Sequence, residues 1–244
     1  MLYKSYRKAS LTQLLSEKDK QDLMALGKRH EYRERKMLFR RGDPGDCLYI
    51  LHKGEVNISV ASSDGREIIL NRLSPGEAFG EIAMFDRGTR TADAYVLKNS
   101  TLISIEREDF FRFLGKRPEL NASCYQLLCA RLRWCSDLLE DFLFNDALER
   151  MVRNLVAYSE KHDILVNSVI EITQEDLGKM TGASRELVNR NLQLLQDKGL
   201  LYIQRKRIII PDIVALRKII GVRSNGSAVP VMASDTRRKV KRRD

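Results

Sequence analysis

The chain is poor in the residues from which catalytic and metal centres are built. Its three histidines, His30, His52 and His162, stand in unrelated contexts, and no nucleophile and base lie together, which argues against an enzyme. The four cysteines, Cys47, Cys124, Cys129 and Cys135, form no CxxC pair and have no histidine at zinc-ligand spacing. Disulfide scaffolding and a metal site are therefore not expected, and the thiols read as free. No cysteine precedes Cys47, so an N-terminal iron–sulfur cluster would have no ligands. Also missing is any apolar run near the roughly 20 residues that span a bilayer. Met1–Leu15 mixes Lys, Arg, Ser and Gln with short apolar pairs and has no signal-peptide core. The reading is a cytoplasmic chain with no membrane partner.

What is present in excess is positive charge. A formal net charge of +10 over 244 residues favours a polyanionic partner, and half of it sits in Val222–Asp244. That end mixes Ser, Asn, Gly and Pro with Arg237, Arg238, Lys239, Lys241, Arg242 and Arg243. It has too few apolar residues to offset the entropy of ordering, so residues 222–244 are expected to be a basic disordered tail. Such a tail suits weak, salt-sensitive DNA affinity or simple solubilisation.

The rest of the chain divides by texture. Between Lys36 and Ile105, short β-rich runs (Leu48–Leu51, Val56–Val60, Ile68–Leu70, Ala94–Leu97, Leu102–Ile105) alternate with Gly and Pro, with a hairpin turn at Asp64-Gly65. This spacing predicts an antiparallel sandwich or roll over residues 1–117. From Glu119 to about Phe144 there is neither Gly nor Pro, which predicts one long helix within residues 118–145. On it Asn121, Tyr125, Leu128, Leu132, Cys135, Leu139 and Phe142 step by alternating fours and threes, the spacing of a two-stranded seam. Such a strip points toward one partner helix and a homodimer. Trp134 and Phe144, off the strip, are expected to pack on the chain's own domain.

Residues 146–221 read as a third unit. A helix over about Asp146–His162 leads through an apolar strand (Val169–Ile172) to two helices, Gln174–Met180 and Ser184–Gln196, broken at Thr181-Gly182-Ala183. Ser184 is a natural N-cap and Gly199 a natural stop. Leu200–Ile210, apolar at both ends with Gln204-Arg205-Lys206-Arg207 between, predicts a basic hairpin. Helix, turn, helix and hairpin make a winged helix-turn-helix, and the whole an α+β chain.

Residues 79–92, Phe-Gly-Glu-Ile-Ala-Met-Phe-Asp-Arg-Gly-Thr-Arg-Thr-Ala, resemble the phosphate-binding cassette of cyclic-nucleotide-binding domains. The upstream Arg41-Gly42-Asp43-Pro44-Gly45-Asp46 and Lys53-Gly54-Glu55-Val56 fit the same pattern. Such a ligand is an anion beside a ribose hydroxyl, so its pocket needs a fixed cation, approachable N–H groups and an acceptor. Arg90 can clamp the phosphate, Gly80 admits the backbone, Ile82 and Ala83 offer N–H groups, Thr91 adds a hydroxyl, and Glu81 suits the ribose. The competing reading of these residues is a surface ion pair between Arg90 and Glu81. In the resembling family two polar residues on the dimer helix contact the base. The resemblance puts them at Cys135 and Ser136. Cysteine replaces threonine at the first, so cyclic AMP and cyclic GMP both remain open as the allosteric ligand.

Ile172-Thr173-Gln174-Glu175-Asp176-Leu177-Gly178 and Gly182-Ala183-Ser184-Arg185-Glu186-Leu187-Val188-Asn189-Arg190 resemble the helix-turn-helix of Crp/Fnr regulators. Arg185 and Arg190 can each fork onto guanine's major-groove edge, and Glu186 can accept from cytosine. These and Asn189 project from one side of the helix's N-terminal half. Thr173, Ser184, Arg205 and Lys206 are the candidates for phosphate contacts. With both halves in the family's order, the resemblance implies a homodimer on palindromic double-stranded DNA with half-sites like TGTGA. It also implies RNA polymerase as a further partner. The rivals are a nucleotide-binding regulatory subunit without DNA output, a regulator with a different ligand, and one whose pocket is vestigial.

Overall fold

The computed structural model describes residues 10–161 and 166–223. Most of the tail expected to be disordered, residues 224–244, lies outside the described residues, as does His162.

The N-terminal half is a roll of two four-stranded antiparallel sheets. One has the order β1 (Lys28–Tyr32), β8 (Ser100–Glu106), β3 (Cys47–Lys53), β6 (Ala78–Phe79). The other has the order β2 (Lys36–Phe39), β7 (Asp93–Val96), β4 (Val56–Ala61), β5 (Glu67–Leu73). All five apolar runs read from the sequence are strands, and Gly65 sits in the β4–β5 turn at φ 83°, where its lack of a Cβ is needed. Between the sheets Leu51, Val56, Leu73, Phe79, Ala94, Val96 and Leu102 form one buried cluster. A second cluster lies where α1 (Glu17–Ala25), α3 (Arg107–Gly115) and α4 (Asn121–Phe144) cover the roll, uniting Leu11, Leu23, Phe110, Phe113, Cys124 and Leu127 with Leu48, Ile50 and Ile105.

On β4 the pleat sends Val56 and Ile58 inward and Asn57 and Ser59 outward. That outer face is polar and yet buried, because the C-terminal half lies on it. Arg72 of β5 bonds Asn57 Oδ1 at 3.1 Å, Asn57 bonds the Tyr95 hydroxyl at 3.2 Å, and Arg72 Nη2 reaches Asp176 Oδ2 at 3.3 Å. Beside this network Lys179 bridges Glu67 and Glu175, both at 2.9 Å.

The long helix is present as expected, with a 3-10 turn at Pro118–Leu120 leading into α4. Its strip of apolar residues is corrected at the end. Tyr125, Leu132 and Leu139 are 68%, 70% and 64% exposed on the protomer, but Phe142 is turned into the chain's own hinge. The Arg150 guanidinium lies 5.0 Å above its ring, and a Cβ at Gly182 would meet it at 3.0 Å. Leu143, four residues past Leu139 and 73% exposed, continues the strip instead. Phe144 is 79% exposed and does not pack on its own domain as expected.

The C-terminal half is built from α5 (Ala147–Lys161), β9 (Val166–Glu171), α6 (Gln174–Thr181), α7 (Arg185–Asp197), β10 (Tyr202–Gln204), β11 (Arg207–Asp212) and α8 (Ile213–Arg223). Leu148, Val152, Leu155, Leu177, Val188, Leu192, Leu195, Ile208 and Ile210 give it a core of its own. Among the described residues no helix is long and apolar enough to cross a membrane.

Candidate ligand pocket and nucleic-acid interface

The cassette is clasped to the turn that precedes β3. Arg90 N–H donates to Asp43 O at 2.8 Å, Gly42 N–H donates to Arg90 O at 2.9 Å, and Pro44 bridges Thr89. Gly45 is needed here because a Cβ would stand 2.4 Å from Ala83 Cβ. Gly80, at φ 82°, caps α2 (Glu81–Asp86), and a Cβ on it would lie 2.6 Å from Arg90 Nη1.

Arg90 is only 4% exposed. Its Nη1 donates to Gly80 O at 2.8 Å, its Nη2 to Cys47 Sγ at 3.5 Å, and its guanidinium lies 4.3 Å above the Phe39 ring. Its Nε is buried with no hydrogen-bond partner among the described residues. Tyr49 stacks on Phe39 and Phe79 behind it, and burial, then the hydrogen bond with Cys47, pushes the Tyr49 phenol up and keeps it neutral.

Glu81, 3% exposed, does not pair with Arg90 on the surface. Its Oε1 accepts from Arg131 Nε at 2.9 Å, and Arg131 Nη2 also donates to Ala78 O at 3.1 Å. Arg131 was not singled out from the sequence. Its partner lies 50 residues away, and one arginine with another, Arg133, two residues on carries no local signal. It ties the cassette to α4. Ile82 is half-buried and Ala83 buried, whereas Thr91 is exposed. Cys135 and Ser136 are exposed on α4 beyond Arg131, and the Ser136 hydroxyl returns to Leu132 O at 3.2 Å. The described residues thus bring Gly80, Glu81, Ala83 and Arg90 together and leave Thr91, Cys135 and Ser136 facing outward.

In the C-terminal half Ser184 forms the N-cap read from the sequence, and Thr173, expected there only as a phosphate contact, caps α6 as well. Thr173 Oγ1 accepts from Asp176 N–H at 3.0 Å, and Ser184 Oγ accepts from Leu187 N–H at 3.3 Å. Gly182 closes α6 in the left-handed conformation at φ 63°. Val188, Leu192 and Leu195 bury one face of α7, and Arg185, Glu186, Asn189 and Arg190 stand exposed on the other. The Glu186 carboxyl is held below its ordinary value by the backbone N–H at the helix start and by Ser184, so it stays an acceptor. Arg205 and Lys206 form the exposed tip of the wing. A concavity of 530 Å³ unites Thr173, Arg185, Arg205 and Lys206, which lie in three separate segments.

A sensor roll whose long helix leads into a winged helix-turn-helix is the architecture of a ligand-sensing DNA-binding regulator. The cyclic nucleotide-binding domain family matches residues 29–117, and the Crp-like helix-turn-helix domain family matches residues 149–219. The chain belongs to the Crp/Fnr family and is a Crp-like, cyclic-nucleotide-binding transcription regulator, not an enzyme. It is similar to the CRP-like cAMP-activated global transcriptional regulator of Mycobacterium tuberculosis, 31% identical over 179 residues, which is 72% of this chain and 80% of that one. The cAMP-activated global transcriptional regulator CRP of Haemophilus influenzae is 28% identical over 186 residues, 74% of this chain and 83% of its own. Among solved structures, the c-di-GMP responsive global regulator CLP of Xanthomonas campestris superposes with a TM-score of 0.71 at 25% identity, covering 80% of this chain and 99% of that one. Regulators of this kind bind DNA and act as dimers.

Proposed function

We propose that the protein is gated by a 3′,5′-cyclic purine mononucleotide and binds palindromic promoter DNA as a homodimer. The observation that carries this reading is Arg90: an arginine only 4% exposed, its Nε unsatisfied among the described residues, beside the buried Glu81–Arg131 pair. A buried cation with a spare donor is stabilised by an anion, and a cyclic phosphate supplies one at the place where Gly80 lets the backbone close in. Glu81 accepts from the ribose hydroxyl, Ile82 and Ala83 offer N–H groups, and Thr91 adds a hydroxyl at the mouth. Cys135 and Ser136 meet the base across the dimer seam, which Tyr125, Leu128, Leu132, Leu139 and Leu143 form with a second copy.

On DNA, Arg185, Glu186, Asn189 and Arg190 read bases in the major groove, and Thr173, Ser184, Arg205 and Lys206 hold phosphates. Two recognition helices roughly 34 Å apart fit successive major grooves of a palindrome. The promoter-bound dimer then acts on RNA polymerase. Calorimetric titration with cyclic AMP, cyclic GMP and cyclic di-GMP tests the ligand. Tight binding of one cyclic mononucleotide, lost in Arg90→Leu with the fold intact, is expected; unchanged affinity in that variant refutes the site.

A further inference from the structure

Strand β6 is two residues long and lies at the edge of its sheet, paired only to β3 through Tyr49 and Ile50. It delivers Gly80 and Glu81 to the pocket, so its placement sets theirs. An edge strand has N–H and C=O groups that its sheet does not satisfy. Ala78 is such a residue, and both its groups are bound from outside the sheet. Its C=O accepts from Arg131 Nη2 at 3.1 Å. Its N–H donates to Ser10 Oγ at 2.8 Å.

Ser10 belongs to a short segment ahead of the residues matched by the nucleotide-binding family. Its hydroxyl also donates to Gly76 O at 3.3 Å, and the Thr12 hydroxyl donates to the same carbonyl. The segment is itself anchored. Leu11 is 1% exposed within the cluster that holds Cys124 and Leu127 of α4, and Leu14 O accepts from Ser123 Oγ at 3.2 Å. The N-terminal segment, β6 and the dimer helix thus meet on the peptide of Ala78, three residues before Glu81. Arg131 then closes the circuit from Ala78 O to Glu81.

We propose that Ser10 and Thr12 are positioning residues for the ligand pocket, clipping Gly76 and Ala78 so that Gly80 and Glu81 are held in their binding geometry before ligand arrives. The proposal rests on reading the cassette as the nucleotide site. Its physical basis is that a buried N–H deprived of its acceptor drives the backbone to seek water, and β3, through its short ladder and the bonds of Leu51 to Gly76 and Glu77, holds only the other edge of the strand. Pre-organisation of this kind is worth affinity, because ligand need not order the strand.

The test uses the full chain with Ser10→Ala, Thr12→Val and Thr12→Ser, reading amide hydrogen exchange across residues 76–83 without ligand, cyclic AMP affinity, and thermal unfolding. Ser10→Ala is expected to speed exchange in 76–83 selectively and to weaken nucleotide binding roughly tenfold. Thr12→Val should act in the same direction, and Thr12→Ser, which keeps the hydroxyl, should behave as wild type. Wild-type exchange in both hydroxyl-deleted variants overturns the clip, as does acceleration spread evenly over the sensor, which marks a merely structural role. If wild-type protein binds no cyclic nucleotide, the ligand reading fails, while the exchange measurement still decides the clip.

Discussion

Leucine 132 offers a quantitative test of the dimer seam. Its side chain is 70% exposed on the protomer although it sits mid-helix on α4. Full burial of a leucine is worth about 1.5–3 kcal/mol, so covering this fraction contributes roughly 1–2 kcal/mol. Two-fold symmetry counts each substitution twice. Leu132→Ala, which retains only the Cβ, should therefore cost roughly 2–3 kcal/mol of dimer stability and raise the dimer Kd roughly 30- to 150-fold. Sedimentation equilibrium with fluorescence detection, from nanomolar to micromolar protein, measures this directly. The register is tested with the same assay. Leu143→Ala should weaken the dimer comparably, whereas Phe142→Ala should leave its Kd within about threefold, because that ring faces Arg150 and Gly182 of its own chain. A Phe142 effect as large as that of Leu132, or none at Leu132, would refute the seam as placed here.

Arg185→Ala should cost about 1–3 kcal/mol per half-site and relax specificity at one base pair, whereas Lys206→Ala should weaken all sequences alike and lower the salt slope by about one; fluorescence anisotropy over a salt series separates them. Arg131→Leu strips the buried Glu81 of its cation, so nucleotide affinity should fall by at least tenfold and be partly restored by Arg131→Lys in a calorimetric titration. For the contact between the halves, burial alone would raise the Glu67 carboxyl, but the hydrogen bond and charge of Lys179, 2.9 Å away, lead the opposing influences and the group is held below its ordinary 4.5. A lowered carboxyl contributes above its ordinary value and is lost as pH falls through the lowered one, so acidification below about 4.5 should loosen the contact. Glu67→Gln should weaken it by about 1 kcal/mol at neutral pH and abolish that acid response, as read by small-angle scattering.

Much of this was written locally in the sequence. Ser184 and Gly182 each solve a backbone problem within a few residues of themselves, so turn and cap chemistry located both helices of the helix-turn-helix, whereas the cassette around Gly80 was found through its resemblance to nucleotide-binding domains. The strands with apolar alternation were legible for the same reason. Strand β1 was not: Lys-Arg-His-Glu-Tyr exposes three of its charged residues beside β8, and an edge strand of that kind shows no alternation. Arg131 and Ser10 were illegible because their partners are 50 and 68 residues away, and only folding brings them to Ala78 and Glu81. Phe142 satisfied the seam's spacing, yet the bend after Asn145 gives it a nearer neighbour in Arg150. Periodicity reports that a residue is covered and does not say by which chain.

The surface on which α6 rests has a thermodynamic consequence. Asn57, Ser59, Arg72 and Tyr95 present amide, hydroxyl, guanidinium and phenol groups to the C-terminal half, and each half has an apolar core of its own. Parting the two therefore wets chiefly polar groups and opens neither core. Apolar exposure raises heat capacity and polar exposure lowers it, so this separation should have a small heat-capacity change of zero or negative sign, unlike the large positive change on unfolding either half. Its equilibrium constant follows a nearly straight van 't Hoff line and answers to ionic strength far more than to temperature. The arrangement of the two halves is thus set by the ionic medium, while the fold of each is set by its hydrocarbon core.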